Sequence, residues 1–136
     1  MNCMFEKFFK KTEKRKAIGN LGEDIAAGYL LRRGFRVIDR NYRNRSGKQL
    51  GEIDIVAEED DTVVFVEVKS REGRVGDAVF PEENITFEKL RKLSRIGELW
   101  LRERKSIDRK YRFDAVTVLF SGIREPEVRH IRNIFL

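Results

Sequence analysis

Between residues 17 and 33 the apolar positions recur at helical spacing. Ile18, Leu21, Ile25 and Tyr29 fall on one stripe, widened by Gly22, Ala26 and Leu30. The run closes on "RRGF", with arginines in the last turn and Gly34 as the C-terminal stop. The pattern then shortens its period. "FRVIDRNYR" reads as a first strand, followed by the polar loop "NRSGKQ". "LGEIDIVAE" and "TVVFVEVKS" are a second and third strand, separated by the acidic turn "EDD". After Arg71 the loop "EGRVGDAVFPEEN" leads to a second helix, capped by Thr86 and running to about Arg104. Its stripe is Phe87, Leu90, Leu93, Ile96 or Gly97, and Trp100. "YRFDAVTVLF" is a fourth strand and "EVRHIRNIFL" a short fifth element. This order predicts an α/β fold, a central mixed sheet flanked by helices.

Length and composition narrow the possibilities. The 136 residues suffice for one domain with a real core, placed at residues 17–136, behind a basic extension at residues 1–16. Twenty-nine Lys and Arg against 23 acidic residues give a net charge of +6. That balance points to a polyanionic partner, nucleic acid before an anionic membrane, or else to an ordinary charged surface. One cysteine, Cys3, and one histidine, His130, exclude an intramolecular disulfide, a Cys-rich zinc site and a multi-histidine metal cluster. Both fit a reducing, cytoplasmic setting. No stretch reaches the ~20 apolar residues of a membrane span, so no membrane partner is expected. "MNCMFEKFFKKTEKRK" is read as an extension rather than a signal peptide, with a phosphate-touching arm as the alternative.

The second and third strands carry acids inside their apolar pattern. Alternation puts Glu52 and Asp54 on one face, with Ile53 and Ile55 on the other. In the third strand Phe65, Glu67 and Lys69 share a face. A turn centred between Asp60 and Asp61 sets Glu59 against Thr62, Asp54 against Glu67, and Glu52 against Lys69. Opposed residues of an antiparallel pair have Cβ atoms roughly 4.5–5.5 Å apart. Two carboxylates that close repel unless one is protonated or a cation intervenes. A hard divalent ion such as Mg²⁺ or Mn²⁺ resolves the repulsion, and Lys69 can then act on a water or a phosphate. The outline is that of a metal-assisted phosphodiester site. The competing reading is a solvated hairpin face with a Glu52–Lys69 ion pair; Phe65 on the charged face argues against it.

Asp54, followed a dozen residues later by Glu67-Val-Lys69 on the adjacent strand, resembles the PD-(D/E)XK nuclease core of the restriction-endonuclease-like fold. More closely, the chain resembles the bacterial YraN family, an uncharacterised branch of that superfamily related to Holliday junction resolvases. The stretches that carry the resemblance are "GNLGEDIAAGYLLRRGFRVIDRNYR", "GEIDIVAEEDDTVVFVEVKSR", "ITFEKLRKL", "RFDAV" and "VRHIRNIFL", from about Ile18 onward. The resemblance implies Asp54 and Glu67 as metal ligands, Lys69 as the catalytic lysine, and Glu23 as a helical acid facing the site. On a helical wheel Glu23 lies beside Leu30 at the border of the stripe while Asp24 points away. Glu52 is on the face needed to join the ligands or to neutralise Lys69. The position before Asp54 is Ile53 rather than the motif's proline.

Candidate phosphate contacts are Arg71, which borders the proposed site, Arg43 in "RNYRNR", and Lys89 and Lys92 in "KLRKLSR". Arg112 and Asp114 share a strand face and are read as a structural ion pair, and His130 is kept out of the site. The resulting expectation is a Mg²⁺- or Mn²⁺-dependent nuclease, structure-selective for DNA junctions, flaps or ends. A non-catalytic nucleic-acid-binding or scaffold module is the alternative. A third reading is an interaction subunit of a DNA-processing assembly, with a homodimer as one form of it.

Overall fold

Two helices cover opposite faces of one five-stranded sheet in a computed structural model that describes residues 3–45, 47–73, 86–122 and 124–135. The elements run α1 (Cys3–Arg32), β1 (Arg36–Arg43), β2 (Glu52–Glu59), β3 (Thr62–Glu72), α2 (Phe87–Glu103), β4 (Tyr111–Phe120) and β5 (Glu127–Ile131). Spatial order follows chain order, β1-β2-β3-β4-β5. The first three strands are antiparallel, β3 and β4 are parallel, and β5 returns antiparallel. The parallel pair needs a crossover, and α2 supplies it. The result is the expected α/β fold with a mixed sheet between helices. Among the described residues no helix is long and apolar enough to cross a membrane.

Each face of the sheet has its own core. On one, Ala26, Ala27 and Leu30 of α1 pack on Ile55, Val64, Val66, Val116 and Val118. On the other, Leu93, Ile96, Trp100 and Leu101 of α2 pack on Ile53, Val56, Val63, Phe65 and Phe113. Buried on both faces, β3 needs apolar side chains on both, which is why "VVFV" runs without a polar break. Thr86 caps α2 as predicted, its Oγ1 accepting the Lys89 N–H at 3.2 Å.

The helices depart from their predicted stripes in two places. In α1 the buried line is Gly22, Ala26 and Leu30, while Leu21 stays half exposed. Close approach explains the shift: a Cβ on Gly22 would lie 1.8 Å from Ser70 Oγ, so the helix rests on its small residues. Phe87, at the first turn of α2, is exposed rather than buried, with the Arg91 guanidinium 5.5 Å from its ring centre. In addition, α1 begins at Cys3 rather than near Ala17. Residues 10–17 are all exposed, so lysine-rich sequence of good helix propensity, not core packing, carries the helix outward. Most of "EGRVGDAVFPEEN", expected to form a loop, lies outside the described residues.

A polar network closes the hairpin end of the sheet. Asp114 is fully buried and accepts from Arg112 Nε at 3.0 Å and from the Asn133 N–H at 2.9 Å, with His130 Nε2 at 2.8 Å. Arg112 and Arg132 both reach Glu59 at the end of β2. Burial alone would raise the Asp114 carboxyl, but its donors outweigh burial and hold it below the usual range. The structural reading of Arg112 and Asp114 follows from this geometry, since the network joins β2, β4, β5 and the segment after β5. Asp114→Ala leaves buried donors without their acceptor. It is expected to cost about 3–5 kcal/mol in urea unfolding; a loss below about 1 kcal/mol contradicts the network's role.

Candidate metal centre

The β2–β3 ladder runs from Glu59 opposite Thr62 to Ile55 opposite Val66, the predicted register. It then stops, one pair short of Asp54 and Glu67. Asp54 Oδ2 instead accepts the Val68 N–H at 2.8 Å, and β3 continues beside β4 as far as Glu72. The strict alternation expected of β2 also fails here. Ile53 packs in the α2-side core and Ile55 in the α1-side core, so the two isoleucines do not share a face. Glu52 does not meet Lys69 across the ladder. It lies opposite Arg43 of β1, whose Nε donates to Glu52 Oε2 at 2.6 Å.

This parting of the strands turns carboxylates toward α1. Glu23, Glu52 and Asp54 each bring an oxygen within 4.8 Å of the others. Asn41 stands between two of them. With its amide oriented by its hydrogen-bonding neighbours, its nitrogen donates to Glu52 Oε1 at 2.9 Å and Glu23 Oε2 at 3.0 Å. Asn41 has φ 55°, a left-handed conformation that asparagine tolerates, and this points its amide along the site. Asp24, as the helical wheel requires, turns away and pairs with Arg40 at 2.7 Å.

The electrostatics call for a cation or a proton. Asp54 is pushed up to about 7, first by burial and then by the charge of Glu67, against the lowering effect of the Val68 N–H. Burial and the neighbouring Glu52 raise Glu23 as well. Three carboxylates from α1 and β2 form the all-oxygen donor set that suits Mg²⁺ or Mn²⁺.

Glu67, expected as a ligand, lies outside the three-carboxylate group, and its Oε1 holds two ammonium groups, Lys89 Nζ at 2.9 Å and Lys69 Nζ at 3.2 Å. Burial works against both. At Lys69 the carboxylates of Glu67 and Asp54 outweigh it, and the group titrates above its ordinary value. At Lys89, burial and the adjacent Lys69 prevail, and it titrates below. Lys89 is thus brought to the centre itself, whereas Lys92 is exposed beside Glu88 at 3.7 Å. An open groove of about 640 Å³ leads to the centre, lined by Glu23, Lys69 and Arg71 together with Arg15 and Gly19.

Asn41 escaped the sequence reading; its signal was an asparagine inside a strand pattern that disfavours it. The place of Lys89 at Glu67 had no sequence signal, because it depends on how α2 crosses the sheet.

Residues 22–118 match the uncharacterised protein family UPF0102. Similar proteins, each named only as a UPF0102 protein, occur in distant bacteria. The Rhodococcus opacus relative is 41% identical over 119 residues, covering 88% of this chain and 96% of its own. The Geobacter metallireducens relative is 40% identical, covering 88% and 93%. The Caldicellulosiruptor saccharolyticus relative is 37% identical, covering 89% and 98%.

The raised Asp54 makes metal-free stability depend on pH. Its folded value near 7 lies above its ordinary 3.8, so the folded state holds a proton that the unfolded state releases between them. Stability is therefore lost as pH rises from about 4 through about 7. In EDTA, Asp54→Asn, whose Oδ1 can still accept the Val68 N–H, should unfold at higher urea than the parent at pH 8. The gap should shrink toward pH 5, and Mn²⁺ should stabilise only the parent. A gap independent of pH would show that Asp54 carries no such proton.

Proposed function

We propose that this chain, which belongs to the uncharacterised protein family UPF0102, is a Mg²⁺- or Mn²⁺-dependent nuclease that hydrolyses phosphodiester bonds in DNA. The observation that carries the reading is the convergence of Glu23, Glu52 and Asp54 beside a lysine pair held by Glu67. The three carboxylates would hold the ion, and Asn41 fixes the rotamers of two of them. The ion would supply a Lewis acid for water activation and for the charge of the leaving oxygen. Lys69, anchored by Glu67 and lining the groove, places a cation where a phosphate entering it gathers negative charge. Lys89 shares the same carboxylate oxygen. Arg71, exposed on the groove wall, contacts a flanking phosphate.

These cations bind backbone, which positions a nucleic acid without reading its sequence. Selectivity then rests on shape, so junctions, flaps and ends are the favoured substrates. Incubation with branched and linear DNA plus Mn²⁺ tests the proposal. Lys69→Ala and Asp54→Asn should each slow cleavage about 100-fold or more. If the parent and Lys69→Ala leave every substrate equally intact, the nuclease reading fails. Salt-sensitive binding in that case would support a non-catalytic nucleic-acid-binding module.

A further inference from the structure

Beside the buried line of α1, the half-buried Ile18, Ile25 and Tyr29 form a row with Gly22 at steps of three or four residues, with Ile25 and Tyr29 packed on the core. Followed backward at such steps, that row becomes Lys14, Lys11 and Lys7, flanked by Arg15 and Lys10. All five cations are exposed, and Glu13 lies to one side of the row. The face that rests on the sheet in one half of α1 is therefore a basic strip in the other half, where the sheet has ended.

The strip is joined to the groove. Lys14 Nζ lies 3.4 Å from Glu72 at the end of β3, and Arg15 lines the same groove as Glu23, Lys69 and Arg71. At roughly 1.5 Å per residue, Arg15 stands about 12 Å along the helix from Glu23, and Lys7 a further 12 Å or so. A duplex offers a phosphate about every 3.4 Å of axis per strand, so the strip spans about three or four of them.

We propose that the first turns of α1 form a phosphate-binding arm that holds the duplex leading into the groove, away from the bond to be cut. This extends the nuclease reading by adding a second contact region, and it rests on that reading for the identity of the groove's occupant. Duplex nucleic acid is favoured over an anionic membrane because the cations run in line with the sheet-facing row and converge on the groove.

The test is duplex binding by the full chain in EDTA, followed by fluorescence anisotropy across a salt series. The variant replaces Lys7, Lys10, Lys11, Lys14 and Arg15 with Gln, which keeps helix propensity. The slope of log affinity against log salt should flatten by about 3–4, at ~0.9 for each phosphate no longer neutralised. If the five-fold variant loses helicity by circular dichroism, Lys7→Gln with Lys11→Gln should flatten it by about 2. An unchanged slope overturns the arm, as does a parent that binds no duplex. Loss of binding to phosphatidylserine vesicles with the duplex slope intact overturns it in favour of a membrane contact. Because no divalent ion is present, a flattened slope supports the arm even if cleavage assays fail. An unchanged slope with cleavage intact removes the arm alone.

Discussion

A carboxylate accepting a backbone N–H where two strands part, Asp54 on Val68, is the constraint on which the centre depends. Had the β2–β3 ladder continued, Asp54 would face Glu67 across a paired sheet and no groove would open. The parting lets β3 run on beside β4 and carry Lys69 and Arg71 along the groove wall. It also leaves the first residues of β2 free to turn Glu52 and Asp54 toward Glu23 on α1. The close contact of Gly22 with Ser70 completes the arrangement by drawing α1 down one residue before Glu23.

Two aspartates on the same sheet, Asp114 buried and Asp54 half-buried, show how environment separates structure from chemistry. Asp114 is surrounded by Arg112, His130 and a backbone N–H, and is held below the usual carboxylate range. Asp54 has one N–H and is otherwise set among carboxylates, which pushes it up to about 7. The first is satisfied by the protein alone and anchors the hairpin end. The second is satisfied only by a proton or a cation. Perturbation of that second kind, beside a groove, is the expected mark of a functional position.

Much of this was legible in the sequence. Element order followed from periodicity, because each strand is bounded by turn residues and α2 by an N-cap threonine. The Asp60–Asp61 turn set the correct β2–β3 register, since a two-residue loop leaves no other pairing for Glu59. What pattern could not convey was where that register ends. Alternation assumes a continuous ladder, so it put Ile53 with Ile55 and Glu52 against Lys69. Both fail at Asp54, where a side chain takes over from the backbone. The stripe of α1 held at Ile25 and Tyr29, which pack on the core, and failed at Leu21, which stays exposed. Hydrophobicity favours Leu21, whereas packing favours the small residues that allow close approach. Lys89 was picked out as a basic residue, but its seat on Glu67, like the bridging role of Asn41, depends on a tertiary contact between distant elements.

The central question is whether the three carboxylates bind an ion together. Anomalous diffraction from a crystal soaked in Mn²⁺ measures this directly. An anomalous peak within ligand distance of Asp54, shared with Glu52 or Glu23 and with Glu67 still on Lys69, is the predicted result. A soaked crystal with no peak at Asp54, or one whose ion is held by surface acids alone, would contradict it.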